Sequence, residues 1–356
     1  MNCRIIGSFY QSPLSQFAVT TYNRHMSSSS STSTVRLGPL RLTPAVAGAL
    51  YCLVSMLGYS STNACMKQLS LTRCVPAWAV CNKELITILA VGPWLVWQAW
   101  RRRSGFPTGR TLVILIAVGL ATELIGNIGV QWGYEVVGLS VIVPAYTGFI
   151  LIATAILGGI LLGERISVRN LAVVGLLILA LVLLGVGSAQ ATPTPVAKPP
   201  ASPLAIAAAI VVAGAAGIVF SLLGIAIRHC VTGTTSYSAV MVIITGMGVL
   251  TLAPLSFVSA GPGKLMATHW QQYALMFAAG ICNLIAFFAL VRGLQLTTVL
   301  HVNMINAGQV AMAALVGVLF FGETCNRWLV LGVGLMIVGI FAFGSPADQE
   351  AIDVHV

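Results

Sequence analysis

The sequence predicts an all-α polytopic membrane protein of about ten transmembrane helices, arranged as two inverted five-helix repeats. Three observations carry that expectation. First, the chain is 58% hydrophobic and only 7% charged, more apolar surface than a water-soluble domain can hide, because most of any globular surface must be wetted. Second, apolar runs of bilayer length start near Pro44, Pro76, Thr111, Leu139 and Val168, and again near Pro203, Tyr237, Trp270, Val299 and Trp328. Each holds about 20 residues, enough to cross roughly 30 Å of hydrocarbon at helical rise. Third, the chain matches itself when shifted by 159 positions: Leu162-Gly163-Glu164-Arg165 falls on Phe321-Gly322-Glu323-Thr324. The register continues through Gly158 on Gly317, Gly175 on Gly334, Leu176 on Leu335, Ile178 on Ile337 and Gly185 on Gly344. Two coincident glutamates in a chain with six make chance a poor account. Short runs of alternating polarity, the mark of a membrane β-barrel, are absent from the sequence.

The elements follow in order. Residues 1–43 are Ser- and Arg-rich without an acidic residue, a composition that predicts a disordered tail. A cleaved organellar transit peptide, a plain cytoplasmic tail and an upstream start codon with the true start at Met26 are all compatible with it. Residues 44–188 hold the first five spans. Residues 189–203 contain five prolines; proline fixes φ and lacks a donor, so this stretch is expected to be a non-helical linker. Residues 204–345 hold the second five spans, and residues 346–356 a short tail. Glycine pairs at four-residue spacing, Gly129 with Gly133 and Gly159 with Gly163, are expected to let helices approach closely in lipid. Pro144, early in the fourth span, predicts a kink.

Charge placement orients the spans. With a cytoplasmic N-terminus, twelve basic residues (Arg4, Arg24, Arg36, Arg41, Arg101, Arg102, Arg103, Arg110, Arg165, Arg169, Arg228 and Arg292) collect on the cytoplasmic side. Five (Lys67, Arg73, Lys198, Lys264 and Arg327) face the other. That bias obeys the positive-inside rule; ten spans then leave both termini cytoplasmic, and five per half invert the second repeat relative to the first. The expected location is the plasma (cell inner) membrane, with an organellar membrane as the alternative.

Polar groups inside a bilayer are costly unless paired or facing water, so each is a candidate for function. The third span carries Glu123, Asn127 and Gln131 at steps of four, which fall within roughly 80° of arc. Glu123 lies about a dozen residues into the span, roughly 18 Å at helical rise and so near the midplane. It is the candidate ion-coupling residue, able to exchange a proton; a structural role locking helices together is the competing reading. The ninth span carries Asn303, Asn306 and Gln309, with His301 nearer the cytoplasmic end. With Asn127 and Gln131 they are the expected substrate-binding amides, supplying donors and acceptors for a polar organic solute. Asn283 is a weaker addition. Lys83 and Glu84, adjacent in the second span, are expected to face different directions, Lys83 either snorkelling outward or meeting Glu123 or a substrate carboxylate. Asn63 and Lys67 are placed at the outer end of the first span. Glu164 and Glu323, each between two helices, suit a helix start electrostatically and are read as structural.

Several chemistries fail on inventory. The two aspartates, Asp348 and Asp353, both lie in the C-terminal tail, so an intramembrane aspartyl protease lacks its pair. H-E-x-x-H, G-x-S-x-G and G-x-x-x-x-G-K patterns are absent from the sequence, and an enzyme is not expected. The eight cysteines form no C-x-x-C pair and are assigned neither metal nor disulfide; no catalytic residue and no cofactor are assigned. The net charge of +10 is spread by topology rather than gathered into a patch, so nucleic acid is not an expected partner. The expected partners are a small-molecule solute, membrane lipid and a second copy in a homodimer.

Ten apolar spans in two halves, with Leu162-Gly163-Glu164-Arg165 closing the fourth and a glycine-punctuated fifth span after it, resemble the drug/metabolite transporter superfamily and its EamA-like family. The resemblance covers about residues 44–345; the second copy departs from it with Thr324 in place of arginine. It implies a 5+5 fold with a central cavity, alternating access, and movement of amino acids, sugars, nucleotide sugars or drugs. The small multidrug exporters of that superfamily carry an essential glutamate in their first span, where this chain has no acid, so their mechanism does not transfer. Inverted repeats that meet at the midplane are also a general way to build a carrier. The expectation is a secondary active transporter, with the first, third, fourth, sixth, eighth and ninth spans around the cavity. An uncoupled exchanger or uniporter, and a non-transporting receptor or scaffold with a carrier fold, are the alternatives.

Overall fold

A computed structural model of the chain describes residues 35–37, 40–101, 105–163, 167–189, 202–233, 235–321 and 325–343. Two compact units divide it, residues 1–44 and residues 45–356. In the first, Val35–Leu37 (β1) and Leu40–Leu42 (β2) pair antiparallel with Arg36 opposite Arg41. The remainder of the expected tail lies outside the described residues, as do most of the proline-rich linker and the residues from 344 on.

The second unit is helical. Its elements are α1 (Pro44–Leu71), α2 (Pro76–Trp100), α3 (Gly109–Ala121), a π-helical turn (Thr122–Asn127), α4 (Ile128–Val136), α5 (Leu139–Leu162), α6 (Val168–Ala189) and α7 (Pro203–Val231). Then come α8 (Tyr237–Ala260), the short α9 (Pro262–Met266), α10 (Trp270–Leu296), α11 (Val299–Asn306), α12 (Gln309–Phe321) and α13 (Arg327–Phe343). Every span start expected from the sequence lies within two residues of an observed helix start. The starts have local causes. Pro44, Pro76 and Pro203 take first-turn positions, where a missing N–H costs nothing. Ser202, Ser236 and Thr298 are N-caps whose hydroxyls accept from the amides three residues on, Ala205, Ala239 and His301. At the other end of α5, Gly163 takes φ 68°, which ends the helix in a left-handed cap. It touches nothing a side chain would meet, so its role is termination rather than the expected helix packing. Gly129 and Gly133 do pack: a Cβ at either would lie about 2.5 and 2.4 Å from Val212 and Ile142. The expected kink residue, Pro144, sits within α5, which continues through it.

Among the described residues, eight helices are long and apolar enough to cross a membrane: Pro76–Trp100, Gly109–Val136, Val141–Leu162, Val168–Val186, Pro203–Val231, Tyr237–Ala260, Trp270–Leu296 and Val299–Val316. α1, at 28 residues, is long enough but carries Ser60, Ser61, Thr62, Asn63, Lys67 and Gln68 in its second half, and the apolar part of α13 is short, Arg327–Gly339.

Polarity is reversed relative to a water-soluble protein. Large apolar side chains such as Trp100, Leu204, Ile160 and Val258 stand exposed, while Lys83, Glu84, Glu123, Gln131, Asn283, Asn306 and Gln309 are buried. That is the distribution of an integral membrane protein, where lipid solvates the outside. α5 packs on α7, α2 on α8 and α10, and α6 on α13. α7 reaches α5 most closely at Gly217, where a Cβ would lie 2.5 Å from the Tyr146 carbonyl oxygen, a contact only glycine allows.

Candidate functional site

Two interrupted helices frame the site. The third span is broken at its centre by the π-helical turn Thr122–Asn127, closed by the Ile128 amide donating to the Glu123 carbonyl five residues back. The wider turn keeps residues four apart nearly in line, and Asn127 Nδ2 donates to Glu123 Oε2 at 2.9 Å. The ninth span is interrupted between α11 and α12 at Ala307–Gly308, where Gly308 N donates to the Ile305 carbonyl and Val310 N to the Ala307 carbonyl, both at 3.0 Å. Asn306 ends α11 and Gln309 opens α12.

Between these interruptions lies a cavity with about 160 Å³ of space for water centres. Glu123, Asn127, Gln131, Asn303, Asn306 and Gln309 all line it, together with Asn283 and Asn63. His301 is not among the lining residues; its Nδ1 lies 2.9 Å from Thr297 Oγ1. The lining draws on α1, the π-helical turn, α4, α5, α7 and α10 to α12, within the spans expected, and adds Val80, Lys83 and Glu84 of α2 and Ile244 and Thr245 of α8.

The amides split into anchored and unanchored groups. Asn63 receives the Tyr134 hydroxyl at 3.0 Å and donates to Gln309 Oε1 at 3.0 Å; Tyr146 also donates to Gln309 Oε1 at 3.3 Å. Asn63 thus stands inside the cavity network rather than at the outer end of its span. Asn303 donates to Thr154, which donates to Ser221, tying α11 to α5 and α7. Gln131 Nε2 donates to the Met66 carbonyl at 3.3 Å, while its Oε1 has no partner. Asn306 is 6% exposed, and neither its Nδ2 nor its Oδ1 has a hydrogen-bond partner. Thr122 and Thr147 hydroxyls are likewise buried and unpartnered. Buried polar groups are normally paired, so this wall offers a solute several open positions.

The charges are arranged differently from the expectation. Lys83 neither snorkels outward nor faces away from Glu84: its Nζ lies 2.7 Å from Glu84 Oε1, with both side chains buried. Adjacent helical residues leave the backbone about 100° apart, but two long side chains can bend into one space. Asn283 Nδ2 donates to Glu84 Oε2 at 3.4 Å. Glu123 is 1% exposed and packs against α8 at Gly248, where a Cβ would lie 2.9 Å from its Cδ. The aromatic lining, Tyr59, Tyr134, Tyr146, Phe220 and Phe287, escaped the sequence reading because aromatic residues in apolar spans look like ordinary core. Glu84 had a signal, a second carboxylate inside an apolar run, masked by its lysine neighbour. Glu164 and Glu323 lie outside the described residues. Among those described, no group of His, Cys, Asp or Glu could hold a metal ion, and Cys52, Cys65, Cys74, Cys81, Cys230, Cys282 and Cys325 are free thiols.

Bilayer-length helices around a buried, partly unsatisfied polar cavity define the class, an integral membrane protein with a polar chamber inside its helices. Residues 207–345 match the EamA-like transporter family, consistent with the drug/metabolite transporter superfamily. A solved crystal structure of a protein superposes with a TM-score of 0.63 at 16% identity, covering 83% of this chain and 97% of its own, and shares the fold. No curated protein matches the chain.

Proposed function

We propose that the protein is a secondary active transporter that moves a small organic solute across a membrane by alternating access, with Glu123 as the coupling carboxylate. The observation that carries this reading is the convergence of Glu123, Asn127 and Gln131 with Asn303, Asn306 and Gln309 on one buried cavity between two interrupted helices. Interrupted helices meeting near the midplane are a recurrent way to form a site that opens to either side, and π-helical turns concentrate at functional positions. Asn306 and Gln131 present unpaired amide atoms to the solute. Glu123, with Asn127 as its hydrogen-bond partner, carries the charge that couples solute to ion.

Ten crossings in two inverted five-helix halves, with both termini cytoplasmic in a plasma membrane, complete the reading. The packing supports it: exchanging each span for the one five later maps the α2–α8 and α6–α13 contacts onto themselves. The same exchange turns the contact of the third span with the seventh (α3–α8) into that of the eighth with the second (α10–α2).

Transport by purified protein in liposomes tests the function. Glu123→Gln is expected to abolish uptake driven by a proton gradient while leaving a folded, monodisperse protein. Unchanged pH-dependent uptake in that variant would sink the coupling role.

A further inference from the structure

We propose that the cavity selects an organic monocation and that Lys83 sets this valence. The proposal rests on the carrier reading and gives it a substrate class. Among the described residues, the charged side chains lining the cavity are Lys83, Glu84 and Glu123, all nine-tenths or more buried. One lysine against two carboxylates leaves a single negative charge once Glu123 has released its proton.

The geometry says which carboxylate holds it. Lys83 Nζ sits 2.7 Å from Glu84 Oε1, and the other Glu84 oxygen accepts from Asn283. This pair is internally matched. Glu123 has only the neutral Asn127 amide as its hydrogen-bond partner, and among the described residues no cation lies within ion-pair distance of it. A buried carboxylate without a countercharge is costly, and a cation arriving beside it removes that cost.

The wall decides between organic and inorganic cations. A hard metal ion favours several charged oxygen ligands; among the described residues no group of three His, Cys, Asp or Glu side chains could hold one, and beside its neutral amides and hydroxyls the chamber presents the rings of Tyr59, Tyr146, Phe220 and Phe287. Aromatic faces attract organic ammonium groups. Lys83 therefore acts as a counterweight: with it, one cationic charge neutralises the cavity, and without it Glu84 and Glu123 together call for two.

Binding of probes to the purified full-length chain, read by thermal shift and competition, tests this. The probes are the monocations phenethylammonium and tetrapropylammonium, the neutral 2-phenylethanol and the dication p-xylylenediammonium. For the wild type, at least one monocation should bind at least about tenfold more tightly than the neutral and dicationic probes, a modest share of what a buried charge pair can supply. Lys83→Gln should reverse the order in favour of the dication, and Lys83→Arg should preserve it. Should Lys83→Gln fail to fold, Glu84→Gln serves instead: Lys83 then offsets Glu123, and the monocation should lose its advantage over the neutral probe. A wild-type protein that binds none of the monocations, or binds the neutral probe as tightly, overturns the proposal, as does an unchanged order in the folded variants. A neutral solute whose binding depends on Glu123 and Asn306 would overturn the valence assignment yet leave the carrier reading standing.

Discussion

Asn63 and Asn306 line the same cavity and should respond to truncation in opposite ways. Asn63 joins Tyr134 to Gln309, so Asn63→Ala strands two partners and is expected to destabilise the fold by about 1 kcal/mol. Asn306 has no partner for either amide atom; Asn306→Ala removes an unsatisfied buried group, so the melting temperature should hold or rise while solute affinity falls. Thermal unfolding of the two variants, with and without a bound solute, checks both signs. Gly248 gives a second case. A methyl there would stand 2.9 Å from the Glu123 carboxyl carbon, so Gly248→Ala must push the carboxylate aside. Transport kcat/KM should fall about ten- to a hundredfold, the scale of an ångström misplacement, with Glu123 itself intact. Among thiols, burial pushes Cys74, between α1 and α2, up to about 11. It stays protonated, and therefore slow to alkylate, throughout the neutral range, whereas Cys325 is exposed; mass spectrometry after brief maleimide treatment at pH 7.5 should find Cys325 modified and Cys74 not. At this scale the candidate amides and Glu123 were legible because polar groups are scarce in apolar spans. The Lys83–Glu84 pairing was not, because backbone direction does not determine where two long side chains end.

The same contrast recurs between elements. Span starts were readable from proline and hydroxyl caps, which act within one turn and leave a local sign. The interruptions were not. Proline drew attention to Pro144, whereas the breaks fall at Thr122–Asn127 and Ala307–Gly308, where no proline stands. A π-helical turn adds one residue to a helix without a signature composition; here it packs against Phe220 at Gly126 and against Gly248 at Glu123. The turn invites a deletion test. Ile125 is exposed on the π-helical turn, and removing it should return the span to a regular helix. Because the turn absorbs that residue, the flanking helix keeps its register, but Glu123 and Asn127 then stand three apart instead of four, and the hydrogen bond that aims the Glu123 carboxylate is lost. The variant is expected to insert and fold but to lose transport, read as solute uptake beside its melting temperature; retained transport would show that the turn does not position Glu123.

For the whole molecule, composition carried the class of protein, since a chain this apolar has only lipid as a solvent for its surface, and the exposed Trp100, Leu204 and Val258 agree. The 159-residue self-match suggested two halves, and the packing pairs fit that division, but the glutamates that anchored it, Glu164 and Glu323, lie outside the described residues. Sequence alone missed the share of α2 and α8 in the cavity, because which faces turn inward depends on how the spans assemble rather than on any one of them. A carrier built this way must expose its centre to each side in turn. The most direct measurement is labelling of a single cysteine placed at Asn306, in a cysteine-free background, by a membrane-impermeant thiol reagent applied from either side of sealed vesicles. Alternating access predicts modification from both sides, slowed when a transported solute occupies the cavity. Modification from neither side, or from one side alone whatever the solute, would contradict the carrier and leave a receptor or scaffold with a carrier's fold.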